Sequence, residues 1–170
     1  QGSQGAGLRS NLLTKYTRVA PHADYGSVEG WFLGGQAGGL PPMTLEIVAA
    51  GAARFGIQVT PEQLLQLARY VELLLARNQQ LNLTRIVDPA EVERRHLLDS
   101  LTCVLPVLAE LQGGARWRCI DIGSGGGLPG LPLAIVFPQL QMTLLESVGK
   151  KAGFLREAVA ALGLTNVTVV

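Results

Sequence analysis

Two carboxylates and a run of glycines carry the chemistry in this sequence. Asp121 and Glu146 lie at the ends of two short apolar runs, Arg118-Cys119-Ile120-Asp121-Ile122 and Gln141-Met142-Thr143-Leu144-Leu145-Glu146. Behind the first comes Gly123-Ser124-Gly125-Gly126-Gly127-Leu128-Pro129-Gly130. Cys119, Ile120 and Ile122 suit a strand buried in a parallel sheet. Gly123, Gly125 and Gly127 let the backbone turn sharply and approach a ligand with no Cβ in the way. Pro129 suits the first helical position, where its missing N–H costs nothing. Strand, glycine turn and helix start, in that order, make a site at the carboxyl end of a sheet strand, and such loops take nucleotides or nucleoside-containing cofactors.

Two ligand classes compete for the loop. Gly125 to Gly130 satisfies the dinucleotide pattern G-x-G-x-x-G, and Glu146 lies about 20 residues on, as that fingerprint requires. In that motif, however, the first glycine follows its strand at once. Here the glycine that does so is Gly123, and from it the spacing is G-x-G-x-G with Asp121 two residues before. A carboxylate at that point repels a pyrophosphate at short range. It suits the sulfonium and amino groups of S-adenosylmethionine, the cofactor favoured here over a nicotinamide dinucleotide. A tight turn that binds nothing is the bland alternative. The pair Asp121 and Glu146 is expected to close around a glycine-lined hollow.

The elements that must position this loop follow from the apolar periodicity. Residues Ile47, Val48, Ala52 and Phe55 mark one face of a helix over 44–55, stopped by Gly56. Thr60-Pro61-Glu62-Gln63 is a capping box, and the helix it opens carries Leu64, Leu67, Ala68, Val71, Leu74 and Leu75 on one stripe. Asp88-Pro89-Ala90-Glu91 reads as a second box, with Ile86 and Val92 as its hydrophobic staple. A helical or broken-helical run continues to Leu111, bent or restarted at Pro106, and Gln112-Gly113-Gly114 separates it from the sheet. Beyond the loop, a short helix 131–137, a strand 141–146, a helix 150–162 and a strand from Asn166 complete a βαβαβ unit. The fold class is α/β, a Rossmann-like, doubly wound half-sheet preceded by a helical N-terminal segment, which the family resemblance given below makes one of the S-adenosylmethionine-dependent methyltransferase kind. Three parts are expected: an N-terminal extension 1–42 that is non-native or disordered, helices over 43–112, and the sheet part 113–170. Met43 is read as the natural start, and the half-sheet as a piece of a longer protein whose apolar edge strand wants a partner.

Composition narrows the classes. A net charge of +1 on 170 residues does not by itself announce nucleic-acid binding. Cys103 and Cys119 sit in apolar runs and read as small core residues of a reducing cytosol. With His22 and His96 they form no ligand spacing, so no metal is expected. Neither a membrane span nor a signal peptide is visible, and a cytoplasmic monomer is the expectation.

Taken together, several stretches resemble one family. They are Asn82-Leu83-Thr84, Asp88-Pro89 with Glu91, Arg95-His96-Leu97-Leu98-Asp99-Ser100-Leu101, the glycine loop from Asp121 to Ala134, and Leu144-Leu145-Glu146-Ser147-Val148-Gly149-Lys150-Lys151. The ensemble resembles the bacterial 16S ribosomal RNA guanine-N7 methyltransferases, the RsmG or GidB family, over about residues 43–170. The resemblance implies a methyltransferase acting on 16S ribosomal RNA or the small ribosomal subunit. It also implies that Asp121, Gly123, Ser124, Gly125, Gly127 and Leu128 shape and line the cofactor loop. Glu146 would take both ribose hydroxyls, with Ser147 and Val148 flanking the adenine. Guanine N7 carries an in-plane lone pair and no proton, so methyl transfer to it needs no base, and alignment does most of the work. The lack of a catalytic dyad fits that chemistry. An oxidoreductase or regulatory module using G-x-G-x-x-G remains the reading from another class, and a non-catalytic scaffold a third.

His96, Asp99 and Ser100 fall on one helical face. They either border the substrate mouth or brace the helices against the sheet, and Asn82 and Thr84 share that ambiguity. Arg94, Arg95, Lys150, Lys151 and Arg156 are the RNA-facing candidates. Lys150 and Lys151 stand in a first helical turn, where the macrodipole disfavours cations, which hints at an external phosphate.

Overall fold

The computed structural model describes residues 44–170; the expectations for 1–42 and for Met43 lie outside the described residues. The first helix, α1 (Glu46–Arg54), has no side-chain cap of its own at Leu45. Its first amides are satisfied from a distance, by Glu93 Oε2, which accepts from Ile47 N–H at 2.9 Å and Val48 N–H at 3.2 Å. A carboxylate at a helix N-terminus satisfies orphan donors and opposes the positive end of the dipole.

Helix α2 (Pro61–Leu81) starts with the expected capping box, Thr60 and Gln63 each accepting the other's backbone N–H. It runs to Leu81, further than expected, because Asn82 takes a left-handed conformation that ends it. Its buried stripe is Leu67, Tyr70, Val71, Leu74 and Leu75, with Leu64 and Ala68 half-buried alongside. Helix α3 passes through an α turn Pro89–Val92, a π-helical segment Glu93–Leu98 and a second α turn Asp99–Thr102. Asp88 caps it through Glu91 N–H, but Glu91 pairs outward with Arg94 and Arg95, so the second box is only half formed. Pro106 sits in a 3₁₀ turn, Leu105–Val107, before the short α4 (Leu108–Gln112), which accords with the expected break.

The sheet part is β1 (Trp117–Ile122), α5 (Gly130–Val136), β2 (Leu140–Leu145), α6 (Gly149–Ala161) and β3 (Val167–Val169). The strands are parallel in the order β1-β2-β3, with Asp121 opposite Leu144 and Leu144 opposite Val169. This is the Rossmann-like βαβαβ arrangement with a helical N-terminal part. Helix α5 begins at Gly130, with Pro129 at its N-cap and not at the first helical position.

The face of the sheet that carries Asp121 and Leu144 packs under α5. A Cβ on Gly130 would lie 2.3 Å from Leu144 Cδ2 and 2.8 Å from Asp121 Oδ2. Buried Leu131, Leu144, Leu155, Leu67 and Leu74 join helices and sheet in one core, each contributing roughly 1.5–3 kcal/mol by leaving water. The other face is open. Ile120 is 59% exposed and Ile122 is 74% exposed, which corrects the expectation that both are buried. Strand alternation sends them to the side that no described helix covers, while Cys119 and Asp121 face the helices. Cys103 is also exposed and Cys119 only half-buried, so neither is the core residue its apolar neighbours suggested.

Candidate functional site: a glycine loop held between two carboxylates

The loop between β1 and α5 is fixed from both ends. Ser124 is buried and its hydroxyl donates to the Asp121 carbonyl at 2.9 Å, closing the turn at the strand end. Gly123 has φ +77, a region that costs a side chain about 1–2 kcal/mol, and a Cβ there would meet nothing within 4 Å. The front of the turn is therefore open to a ligand. Gly127 plays a different part: a Cβ would stand 2.5 Å from Leu131 Cδ1, so the back of the loop is packed tightly onto α5.

Asp121 and Glu146 hold opposite ends of this loop. Asp121 Oδ2 accepts from Gly130 N–H at 3.1 Å, at the start of α5. Burial raises its carboxyl above the ordinary range, and the Gly130 amide opposes that rise. Glu146, at the end of β2, reaches across to accept Gly125 N–H through Oε2 at 2.8 Å and Val148 N–H through Oε1 at 2.8 Å. The Val148 amide leads in holding its carboxyl below the ordinary range against the opposing effect of desolvation, with the Gly125 amide and the charge of Lys151 assisting. Each oxygen keeps a further lone pair for an external donor. Leu128 is half-buried beyond the glycines, and Ser147 and Val148 are exposed just before α6.

The helical segment supplies the other wall. Tyr70 of α2 is fully buried, and its hydroxyl donates to the Gly126 carbonyl at 2.8 Å. Near the C-terminal turn of α3, burial first and then the carboxylates of Asp99 and Asp121 push the Cys103 thiol up. The Asp99–Thr102 turn of α3 packs against α5, whose first residue, Gly130, is bonded to Asp121. His96 is half-buried, and burial lowers its pKa. Its Nε2 lies 2.6 Å from Thr84 Oγ1, and Nδ1 lies 3.2 Å from the Arg95 carbonyl. Thr84 N–H donates to Asn78 Oδ1 at 2.8 Å, so His96, Thr84 and Asn78 knit α3 to the end of α2. Ser100 is buried and donates to the His96 carbonyl one turn back. Asn82 serves as the left-handed cap of α2 with an exposed side chain. Of this group, Asp99 is exposed and its carboxylate has no hydrogen-bond partner among the described residues, whereas His96 and Ser100 are engaged in bracing.

The basic candidates divide. Arg94 and Arg95 are exposed but share Glu91, at 3.4 and 3.9 Å. Lys150 and Lys151 occupy the first turn of α6, and Lys151 is near enough to Glu146 to act on its charge. Part of the electrostatic reason for a cation at that helix start is therefore internal. Arg156 turns instead to a hollow of about 540 Å³ between α6 and β3. Sequence reasoning missed Tyr70 and Glu93, which were hidden because their partners lie 56 and 45 or 46 residues away.

Residues 63–170 match the family model described as rRNA small subunit methyltransferase G, a span that contains the loop and both carboxylates. The chain belongs to that family. Similar family members include the ribosomal RNA small subunit methyltransferase G of Sorangium cellulosum, 54% identical over 117 residues, covering 69% of this chain and 48% of that protein. The protein of the same name from Roseiflexus castenholzii is 50% identical over 119 residues, covering 70% and 49%. That of Ectopseudomonas mendocina is 47% identical over 125 residues, covering 74% and 56%. The chain spans about half the length of these methyltransferase G relatives. Among the described residues, no helix is long and apolar enough to cross a membrane, and no group of three or more His, Cys, Asp or Glu is placed to hold a metal ion.

Proposed function

We propose that this chain carries the cofactor-binding part of an S-adenosylmethionine-dependent methyltransferase. Its substrate is N7 of a guanine in 16S ribosomal RNA, presented in the cytoplasm by the small ribosomal subunit. The reading is carried by the family match over residues 63–170, because that span includes the glycine loop, Asp121 and Glu146.

The residues present fit an adenosyl sulfonium. Gly123 leaves open space in front of the loop, and Glu146 offers lone pairs at its rim for two ribose hydroxyls. Ser147 and Val148, exposed beside that carboxylate, would flank the adenine, and Leu128 would close the far side. Asp121 puts negative charge beneath the loop, which favours a cationic ligand over a pyrophosphate. S-adenosylmethionine, when bound, supplies a methyl group on a positively charged sulfur. The protein's own task is alignment, since guanine N7 carries no proton to remove. A base in duplex cannot reach such a pocket, so the substrate guanine is unstacked or in a loop. Asp99 faces that substrate mouth, with His96 and Ser100 holding its helix. Arg94, Arg95, Lys150, Lys151 and Arg156 contact RNA phosphates, and the protein acts as a monomer.

The test is transfer of labelled methyl from S-adenosylmethionine to small subunits from a bacterium lacking its own guanine-N7 methyltransferase, followed by mapping of the modified base. Label on guanine N7 of 16S ribosomal RNA is expected. Label on another base or on protein only, or none, contradicts the assignment.

A further inference from the structure

Helix α2 meets the sheet part through four polar side chains, Gln63, Gln66, Tyr70 and Arg77; Arg77 pairs with Glu157 of α6, and only Tyr70 reaches the glycine loop. Gln63 Nε2 donates to the carbonyls of Ile135 and Val136, capping the C-terminal end of α5 at 3.2 and 2.9 Å. Gln66 Nε2 donates to the Leu162 carbonyl at the end of α6, at 3.1 Å. Tyr70, one turn further, donates its hydroxyl to the carbonyl of Gly126. Leu74, one more turn along, closes on the same glycine: a Cβ there would stand 2.9 Å from Leu74 Cδ1. Gly126 is itself buried, so its carbonyl depends on Tyr70 in a setting where an unpaired polar group is costly.

Gly126 follows directly on Gly125, whose N–H is the one that Glu146 accepts, and precedes Gly127, whose N–H donates to the Ser124 carbonyl at 2.6 Å. The peptide that Tyr70 holds is therefore the middle of the turn, between its open front and its packed back. We propose that Tyr70 is a positioning residue, which sets the orientation of the Gly125–Gly126–Gly127 backbone and through it the affinity of the loop for the adenosyl cofactor. This rests on the cofactor reading given above. The helical segment then does more than pack: it presets the shape of the site from the side opposite Glu146.

Tyr70→Phe removes the hydroxyl and keeps the ring, and Gln66→Ala serves as the comparison, a brace lost at the far end of α6. On the 170-residue chain, two quantities are measured for each: calorimetric affinity for S-adenosylhomocysteine, and amide hydrogen exchange over 123–131. Tyr70→Phe is expected to weaken binding by about tenfold or more and to speed exchange of the loop amides by a similar factor. Gln66→Ala is expected to lower Tm while leaving both readouts at wild-type level. Loop exchange unchanged in Tyr70→Phe, or equal acceleration in both variants, overturns the assignment. If the unmodified chain binds no S-adenosylhomocysteine, the cofactor reading fails instead. Exchange then still decides for or against Tyr70 as the residue that holds the loop.

Discussion

Glu146 accepts the amide of Gly125 at 2.8 Å, so the carboxylate that ends the second strand is part of the wall of the loop that follows the first. The register puts the two strand ends level, Ile122 opposite Leu145, and the amides of Gly123 and Ser124 also donate to the Leu145 carbonyl, at 2.8 and 3.2 Å. The loop is thereby built on both strands, and a ligand seated on it would meet donors from one and an acceptor from the other. That relationship makes Glu146 the most informative position to change.

Glu146→Gln keeps one acceptor oxygen and loses the charge, whereas Glu146→Ala loses both loop contacts. Affinity for S-adenosylhomocysteine is expected to fall about tenfold in the first and about a hundredfold in the second, with a modest fall in Tm as the half-buried carboxylate loses its bonds to the loop. Calorimetry and a thermal melt check both. Equal affinity across all three proteins would remove Glu146 from the site.

Gly130 sits where α5 meets β2, and its missing side chain is a packing requirement. In Gly130→Ala the new methyl group would meet Leu144 Cδ2 at 2.3 Å and Asp121 Oδ2 at 2.8 Å. A loss of about 1–3 kcal/mol in denaturant unfolding is expected. Gly149→Ala, where a Cβ meets nothing within 4 Å, is expected to cost far less.

The buried setting of His96 gives a pH dependence of definite sign. Its folded pKa lies below the ordinary 6.5, so the unfolded chain takes up the proton first. Its contribution to stability is complete above pH 6.5 and is lost as pH falls from there toward the folded value. His96→Gln removes this slope, and urea unfolding at several pH values between 7 and 5 measures it. A wild-type curve parallel to that of the variant would show that the imidazole is not coupled to folding.

Much of the framework was legible in the chain itself, because caps and glycine turns act over three or four residues. Thr60 with Gln63, Asp88 before Pro89, and the left-handed Gly56 after α1 all mark real ends. The loop and the two strand-end carboxylates were legible for the same reason. What escaped depends on distant partners. Glu93 reads as one more charge on a helix, yet it is buried and caps α1, whose sequence holds no cap of its own. Tyr70 stands outside the stripe read over Leu64 to Leu75, and nothing nearby in sequence tells where its hydroxyl goes. The π-helical segment Glu93–Leu98 carries no local mark, since Arg94 to Leu98 would suit an ordinary helix equally. Ile120 and Ile122 misled because apolar residues signal burial only where another layer covers them.

Lys150 and Lys151 test the RNA-facing assignment. Reversing both charges, Lys150→Glu with Lys151→Glu, is expected to weaken small-subunit binding and to reduce the slope of log affinity against log salt by about 1–2. Filter binding at four salt concentrations gives the slope. An unchanged slope would assign these lysines to Glu146 and solvent alone.

The most direct test of the glycine loop as an adenosyl site is a backbone-amide NMR titration of this chain with S-adenosylhomocysteine and, separately, with NAD. Saturable shifts centred on Gly123, Gly125, Gly127, Glu146 and Val148 with S-adenosylhomocysteine, and none there with NAD, are the expected result. Shifts at the same residues with NAD alone would contradict it, as would S-adenosylhomocysteine shifts confined to residues away from the ends of the first two strands.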